Sequence, residues 1–300
     1  MALDVGIVGP PGSGKTTLFT ALTGVHPEGY GTPHVGVAQI ADERLPAVAA
    51  VIRSAKQTPA TIRLIDVPGT AAAQLGGVRR ADALLAVVRD PADLPLLELE
   101  LLVADRDHVE RRLERVRKEA KSGDPSLREQ VGVLEHLIAH IDEEKRLEEF
   151  PGDLPEELEP LTAKPLIPIV NGADGLDLAL EAELRDLTPV EAAEYRNGGS
   201  SALGDVVREL AVVLDLVTFF TAGDTETRAW SLRNGNTALD AAATIHTDIA
   251  RGFIRCEVIR WKDLVEAGSH AEAARRGLQR LEGKGYVVAD GDVLNVRFNV

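Results

Sequence analysis

The chain has 300 residues, of which 44% are hydrophobic, enough apolar material for a folded protein with a sizeable core. Its 48 acidic and 33 basic side chains give a formal net charge of −15, which argues against binding nucleic acid or anionic membranes through the whole surface. The single cysteine, Cys256, excludes an intrachain disulfide and is typical of a reducing compartment. No secretory signal or membrane-length apolar run is visible, so we expect a cytoplasmic protein.

Apolar runs and helical segments alternate over about the first ninety residues. Residues 3–8, 60–67 and 83–88 each predict a buried strand. Continuous apolar runs of this kind are typical of a parallel sheet covered on both faces. We therefore predict an α/β domain with a mostly parallel sheet and helices on both of its faces.

The most informative motif follows the first predicted strand. Residues 9–16 read Gly-Pro-Pro-Gly-Ser-Gly-Lys-Thr, the complete G-x-x-x-x-G-K-[ST] pattern of a phosphate-binding loop, and a helix is predicted to follow. A glycine loop between a strand and a helix N-terminus binds anions, because its backbone N–H groups and the helix dipole point at the phosphates. Lys15 would place a charge on the β- and γ-phosphates, and Thr16 would offer a hydroxyl to Mg²⁺.

A second motif narrows the class of P-loop protein. The residues Asp-Val-Pro-Gly, from Asp66 to Gly69, end a predicted strand and match the Asp-x-x-Gly pattern by which switch proteins sense the γ-phosphate. Asp66 would hold Mg²⁺, and the backbone N–H of Gly69 would contact the γ-phosphate. Thr32, in the candidate first switch loop, is a further candidate Mg²⁺ ligand. The residue after the motif is Thr70, so the glutamine that orients water in Ras-like enzymes is missing.

The apolar periodicity becomes helical after these strands. A 4-3-4-3 spacing from Leu127 to Ile141 gives a heptad seam, and Gly-Asp-Pro at residues 123–125 predicts a tight turn before it. We therefore predict a long antiparallel helical hairpin over residues 92–159. The hairpin is inserted into the first domain, because the apolar run 165–170 predicts another strand that would return to the sheet.

A third motif follows that strand. Asn171-Gly172-Ala173-Asp174 stands where switch GTPases carry Asn-Lys-x-Asp, whose carboxylate binds the N1 and N2 hydrogens of guanine. The lysine that normally packs over the base is replaced by Gly172, and Asn-Gly also forms turns, so this motif is the weakest of the three. We expect Asn171 and Asp174 to recognise the base.

The last third of the chain differs in composition from the rest. Residues 197–201, Asn-Gly-Gly-Ser-Ser, are the best candidate linker. Short predicted strands then alternate with helices predicted at residues 238–249 and 270–281, which indicates a small α+β module. The predicted domains are 1–91 with 160–205 for the nucleotide domain, 92–159 for the hairpin and 206–300 for the last module.

These motifs define one candidate site. The candidate nucleotide-binding residues are Gly9, Pro11, Gly12, Ser13, Gly14, Lys15, Thr16, Thr17, Asn171 and Asp174. The candidate Mg²⁺ ligands are Thr16, Thr32 and Asp66. The candidate catalytic residues are Lys15, Asp66 and Gly69. Catalysis would be phosphoryl transfer to water, driven by positioning and charge neutralisation.

The carboxyl-terminal part carries the most specific family signature. Its characteristic segments are residues 219–223, 226–230, 245–248, 252–255, 290–293 and 298–300. Together with residues 101–124, they resemble the YchF-type, Obg-like ATPases over essentially the whole chain. The resemblance implies a P-loop NTPase with a coiled-coil insert and a TGS module, a ubiquitin-like β-grasp domain. It also implies a nucleotide hydrolase that prefers ATP, works in translation or stress responses and associates with ribosomes.

The chain departs from this family pattern in four places. Gly12 replaces an asparagine that resembles a potassium ligand, and the loop after Gly69 is shortened. A segment with a proposed catalytic histidine, expected between Arg89 and Pro91, is deleted. These three differences predict slow hydrolysis. The base motif ends in Asp174 rather than glutamate, which leaves the choice between ATP and GTP open.

Three functional hypotheses remain at this point. The first is a Mg²⁺-dependent NTPase switch that binds ATP or GTP and hydrolyses it slowly. The second is a nucleotide-gated binding module with negligible hydrolysis, whose hairpin and TGS module contact a ribosome or RNA. The third is a small-molecule or nucleotide kinase, against which the second and third motifs argue.

Overall fold

Strands and helices alternate along most of the chain in the computed structural model. The structure describes residues 3–27, 29, 31–68, 72–172, 175–185, 187–195 and 201–299. The strands are β1 (Asp4–Val8), β2 (His34–Ile40), β3 (Lys56–Thr58), β4 (Ala60–Asp66), β5 (Ala83–Val88), β6 (Leu166–Val170), β7 (Leu216–Ala222), β8 (Glu226–Arg233), β9 (Phe253–Arg260), β10 (Arg280–Glu282) and β11 (Asp292–Phe298). The helices are α1 (Lys15–Thr23), α2 (Arg44–Ile52), α3 (Ala72–Leu75), α4 (Leu94–Glu119), α5 (Pro125–Asp142), α6 (Leu178–Leu184), α7 (Pro189–Tyr195), α8 (Ala202–Val213), α9 (Ala238–Ile245), α10 (Thr247–Arg251), α11 (Trp261–Ala267) and α12 (His270–Arg275). Within the described residues, no helix has both the length and the apolar composition needed to cross a membrane.

The first sheet has five strands in the order β2-β4-β1-β5-β6. β1 pairs in parallel with β4 on one side and with β5 on the other, and β5 pairs in parallel with β6. Every residue of β1 and β5 is buried, because both apolar strands lie in the middle of the sheet. The predicted parallel pairing is confirmed for these four strands, including the return of the chain to the sheet at β6.

Helices α4 and α5 pack against each other along an apolar seam. Its buried residues include Leu102, Val109, Leu113, Val116, Leu134, Leu137 and Ile141. Arg106 forms an ion pair with Asp142 at 2.7 Å. Nearer the turn, Arg117 forms one with Glu135 at 2.7 Å, so the two helices run antiparallel. The side chain of Asp124 caps the N-terminus of α5. The two helices and the turn between them therefore follow the sequence prediction.

A buried ion pair connects α4 to Arg79, which precedes β5, and hydrogen bonds connect the same carboxylate to the segment before β6. Asp105 is 1% exposed, and its carboxylate lies 2.7 Å from the guanidinium of Arg79. The carboxylate also accepts hydrogen bonds from the backbone N–H groups of Leu161 and Thr162, at 3.0 and 2.8 Å. The hydroxyl of Thr162 donates a further bond at 2.8 Å. Because both carboxylate oxygens have partners, the buried charge is compensated.

The second sheet has six strands in the order β10-β9-β11-β7-β8-β3. By their contacts, residues 37–62 form one compact unit with residues 201–299, and residues 3–36 form another with the described residues from 63 to 195. The sequence analysis did not anticipate that residues 37–62 group with the carboxyl-terminal part. The predicted domain boundaries stay predictions.

The segment between β2 and β4 contributes a helix and a strand to the carboxyl-terminal unit. β3 pairs in parallel with β8, at the edge of the second sheet. The hydroxyl of Ser54 donates to the carbonyl of Gly223 at 2.7 Å and lies 2.6 Å from the buried hydroxyl of Thr227. At the start of α2, Arg44 forms an ion pair with Asp290 at 2.6 Å. These contacts make the segment an integral part of that unit.

Two helices in the carboxyl-terminal part differ from their predicted extent. The predicted helix 238–249 is interrupted at His246, whose backbone is extended. Its Nδ1 accepts a hydrogen bond from the backbone N–H of Asp248 at 3.1 Å, which caps the new helix α10. The predicted helix 270–281 ends at Arg275, and the chain then forms β10 beside β9. A side-chain cap and a strand pairing override the local helical pattern at these two places.

We expect Asp105→Ala to lower the free energy of unfolding by about 3 to 5 kcal/mol, because Arg79 would keep a buried charge without its partner. Chemical denaturation measures the loss. The matched control is Asp142→Ala, which removes a carboxylate that is 50% exposed and should cost at most about 1 kcal/mol. Equal losses in the two variants would contradict the role given to Asp105.

Candidate nucleotide site

The glycine loop lies between the buried strand β1 and helix α1. Three of its glycines have positive φ angles, 151° at Gly9, 76° at Gly12 and 108° at Gly14, which explains why the motif needs glycine there. A Cβ on Gly14 would lie 2.3 Å from the side-chain amide of Asn171. Among the described residues, no side chain caps the N-terminus of α1, so its backbone N–H groups are available to an anion.

Lys15 is held inside this loop. Its ammonium donates to the carbonyls of Gly9 and Pro10, at 2.7 and 2.9 Å, and the residue is 7% exposed. Burial lowers the pKa of Lys15, and the nearby charge of Asp66 opposes that shift. The hydroxyl of Ser13 is buried and has no hydrogen-bond partner among the described residues. The loop thus surrounds a cation that a phosphate group could contact.

Asp66, at the end of β4, meets the first turn of α1. The hydroxyl of Thr16 donates to its Oδ2 at 2.8 Å, and Asp66 is 3% exposed. Its Oδ1 is buried and, within the described residues, has no hydrogen-bond partner. Burial raises the pKa of this carboxyl, against the hydrogen bond from Thr16 and the charge of Lys15. An unpartnered carboxylate oxygen beside a hydroxyl fits the oxygen ligands that Mg²⁺ prefers, directly or through water.

His34 also faces this carboxylate, although the sequence analysis did not assign it to the site. Its Nδ1 lies 3.9 Å from Oδ2 of Asp66, and its Nε2 is buried without a hydrogen-bond partner among the described residues. Thr32, the predicted third Mg²⁺ ligand, lies in an exposed bend. Its assignment stays a prediction. Gly69 falls outside the described residues, so its contact with the γ-phosphate stays a prediction as well.

Asn171 joins the loop after β6 to the glycine loop. Its backbone N–H donates to the carbonyl of Val88 at 2.8 Å, and its side-chain amide donates to the carbonyl of Ser13 at 2.8 Å. Its side-chain oxygen accepts from the backbone N–H of Leu178 at 3.4 Å. Asn171 therefore positions the two loops relative to each other. Asp174 lies outside the described residues, and its role in base recognition stays a prediction.

Arg89 is a second residue that the sequence analysis did not assign to the site. It directly follows β5, and its Nε donates to the carbonyl of Gly12 at 2.8 Å. Two features of the sequence point to it, namely its position directly after a buried strand and the absence of a lysine at position 172. Neither feature indicates a site residue without the knowledge that β5 and β6 are neighbours in the sheet.

These side chains meet at the carboxyl ends of parallel strands, where open α/β sheets bind their ligands. Lys15, Thr16 and Asp66 lie together at the predicted phosphate and metal end of the site, and Asn171 lies at its predicted base end. The fold and the order of these elements define a P-loop protein with the GTPase fold.

Comparisons with known proteins agree with this class. The family model MMR_HSR1, described as "50S ribosome-binding GTPase", matches residues 4–133. The family model YchF-GTPase_C, described as "Protein of unknown function (DUF933)", matches residues 216–299. A solved structure entitled "Structure of the Schizosaccharomyces pombe YchF GTPase" superposes with a TM-score of 0.80 and 25% identity, covering 98% of this chain and 97% of that one.

Curated relatives match over the full length. The "Ribosome-binding ATPase YchF" of Haemophilus influenzae is 33% identical over 364 residues, covering 100% of both chains. The protein of the same name from Bacillus subtilis is 32% identical over 366 residues with the same coverage. The chain therefore belongs to the YchF family, as its resemblance predicted. The alignment spans 364 positions and this chain has 300 residues, so at least 64 aligned positions (364 − 300) have no residue in this chain.

We expect Asp66→Asn to stabilise the ligand-free protein and to weaken its binding of Mg²⁺ with nucleotide. The pKa of this carboxyl is higher in the folded protein than in the unfolded protein. Its contribution to stability is therefore fully present below the pKa of the unfolded state and is lost as the pH rises through the pKa of the folded state. At neutral pH, ionised Asp66 therefore costs stability that asparagine restores.

Thermal unfolding at pH 7 measures the first effect, expected as a rise in Tm. Calorimetry with Mg·ATP and Mg·GTP measures the second, expected as at least a roughly tenfold loss of affinity. The matched control is Asp107→Asn, a half-buried aspartate of α4, which should change neither. A lower Tm in Asp66→Asn would contradict the assignment of an unsatisfied buried charge.

Proposed function

We propose that this chain is a Mg²⁺-dependent P-loop NTPase switch that binds a purine nucleoside triphosphate and hydrolyses it slowly to the diphosphate and phosphate. One observation carries the proposal. The buried carboxylate of Asp66 accepts a hydrogen bond from the hydroxyl of Thr16 at 2.8 Å. Its other oxygen has no hydrogen-bond partner in the described part of the chain. A buried, unsatisfied carboxylate is costly in a purely structural role and useful in a metal site.

Each residue has a role in this proposal. The backbone of the glycine loop and Lys15 would bind the β- and γ-phosphates, and Asn171 with Asp174 would bind the base. Thr16 and Asp66 would hold Mg²⁺, with Thr32 as the further candidate ligand. When bound, Mg²⁺ would neutralise charge on the β- and γ-phosphates.

The proposal includes slow turnover, because no side chain of the sequence motifs is a strong base for the attacking water. Residue 70 is threonine instead of the glutamine of Ras-like enzymes, and β5 leads into α4 through a few residues around Asp90. Catalysis would then rest on the positioning of water and on charge neutralisation, with Lys15, Asp66 and Gly69 as the contributing residues.

The partner proposed for this switch is the ribosome. The relatives named "Ribosome-binding ATPase YchF" support it, and so does the match to the "50S ribosome-binding GTPase" model. We propose that the antiparallel helices α4 and α5 and a carboxyl-terminal β-grasp module of the TGS type make the contact. Binding to ribosomes would place the protein in the cytoplasm.

The proposed nucleotide is ATP or GTP. Relatives are named ATPase, and the similar solved structure is entitled a GTPase. Asp174 is the shorter carboxylate that guanine-binding motifs use. Calorimetry with Mg·ATP and with Mg·GTP decides which nucleotide this chain binds more tightly.

We expect Lys15→Ala to abolish the binding of ATP and GTP, because the loop loses the one ammonium that faces the phosphates. Calorimetry with each nucleotide and Mg²⁺ measures the effect. The matched control is Lys121→Ala, an exposed lysine in the turn between α4 and α5, which should bind nucleotide as the wild type does. Unchanged affinity in Lys15→Ala would contradict the assigned site.

A second candidate is a nucleotide-gated binding module that hardly hydrolyses its ligand. The short connection after β5 favours it, because the family segment with the proposed catalytic histidine is missing there. Phosphate release under multiple turnover, with and without ribosomes, separates the two. We expect slow release that ribosomes accelerate. Binding without measurable release in either condition would favour the second candidate, and phosphate transfer to an acceptor other than water would indicate a kinase.

A further inference from the structure

The base end of the site lacks the residue that usually covers the nucleotide base. Gly172 stands in the place of the lysine of Asn-Lys-x-Asp. A Cβ built on Gly172 meets no atom of the described residues within 4 Å, so these residues leave space beside this loop. A purine bound there would therefore have no side chain from position 172 over its ring.

Arg89 approaches the same end of the site from the neighbouring strand. Val88 of β5 pairs with Val170 of β6, so Arg89 and Asn171 follow adjacent strands at one edge of the sheet. The Nε of Arg89 donates a hydrogen bond to the carbonyl of Gly12 at 2.8 Å. The side-chain amide of Asn171 donates one to the carbonyl of Ser13, the residue after Gly12, at 2.8 Å. The two side chains thus hold consecutive carbonyls of the glycine loop.

The rest of the Arg89 guanidinium is not engaged within the described residues. Arg89 is exposed and forms no ion pair there. The carboxylate of the adjacent Asp90 accepts instead from the backbone N–H of Ala92 at 2.9 Å. A single Nε bond fixes one edge of a planar cation and leaves its two other nitrogens and its face available to a ligand.

We propose that Arg89 is the base-clamping residue of this chain, with its guanidinium packed over the purine in place of the missing lysine. This inference rests on the nucleotide site proposed above. A guanidinium stacks on any aromatic face, so Arg89 would strengthen the binding of adenine and guanine alike. Discrimination between the two bases would then be left to Asn171 and Asp174.

The test separates contact with the base from support of the glycine loop. Calorimetry measures the binding of Mg·ATP, Mg·GTP and Mg·tripolyphosphate, which has no base, to the wild type and to Arg89→Ala. We expect Arg89→Ala to weaken both nucleotides about tenfold and to leave tripolyphosphate affinity within about twofold. Arg89→Lys keeps a donor for Gly12 without a planar group, and we expect it to regain only part of the nucleotide affinity.

The matched control is Arg80→Ala, which removes an arginine that is 84% exposed and should bind all three ligands as the wild type does. Equal losses for nucleotides and tripolyphosphate in Arg89→Ala would overturn the inference, because Arg89 would then act through the loop alone. Unchanged nucleotide affinity would overturn it as well. A wild type that binds no nucleotide would overturn both this inference and the proposed function, so the two failures are distinguishable.

Discussion

In the candidate site, the hydrogen bond between Thr16 and Asp66 joins the first turn of α1 to the end of β4. Thr16 belongs to the first turn of α1, and Asp66 is the last residue of β4, which pairs with β1. The parallel register of these strands fixes the end of β4 beside the glycine loop. The sheet order therefore places a buried carboxylate, one oxygen of which has no hydrogen-bond partner among the described residues, at the predicted phosphate and metal end.

The predicted base end depends on a different pair of strands. β5 and β6 lie side by side, so the residues that follow them, Arg89 and Asn171, contact consecutive carbonyls of the glycine loop. Through these bonds, two separate segments of the chain contact one loop. Such redundancy pre-organises the loop, and a pre-organised site loses less conformational entropy when a ligand binds.

Local patterns in the sequence were sufficient for some elements and insufficient for others. The continuous apolar runs identified β1, β4, β5 and β6, and the heptad seam identified α5, since these signals are local. The pairing of β3 with β8 could not be predicted, because a three-residue strand has no period of its own and its partner is distant in the chain. For the same reason, residues 37–62 were assigned to the first domain, although their contacts group them with residues 201–299.

The same distinction applies to the site. Motifs predicted Lys15, Thr16 and Asp66, because phosphate and metal chemistry fixes their types and spacing, and a weaker motif predicted Asn171 for the base. The structure brings these residues close to the glycine loop, and their roles stay predictions. His34 belongs to no motif, and its proximity to Asp66 follows from tertiary structure alone.

The most direct measurement is the affinity of the purified protein for ATP and for GTP. Each affinity is measured once with Mg²⁺ and once with a chelator instead of Mg²⁺. We expect at least one nucleotide to bind tightly with Mg²⁺ and much more weakly without it, since Thr16 and Asp66 would complete a metal site only with the nucleotide phosphates. Binding of neither nucleotide, or equal binding with and without Mg²⁺, would contradict this expectation.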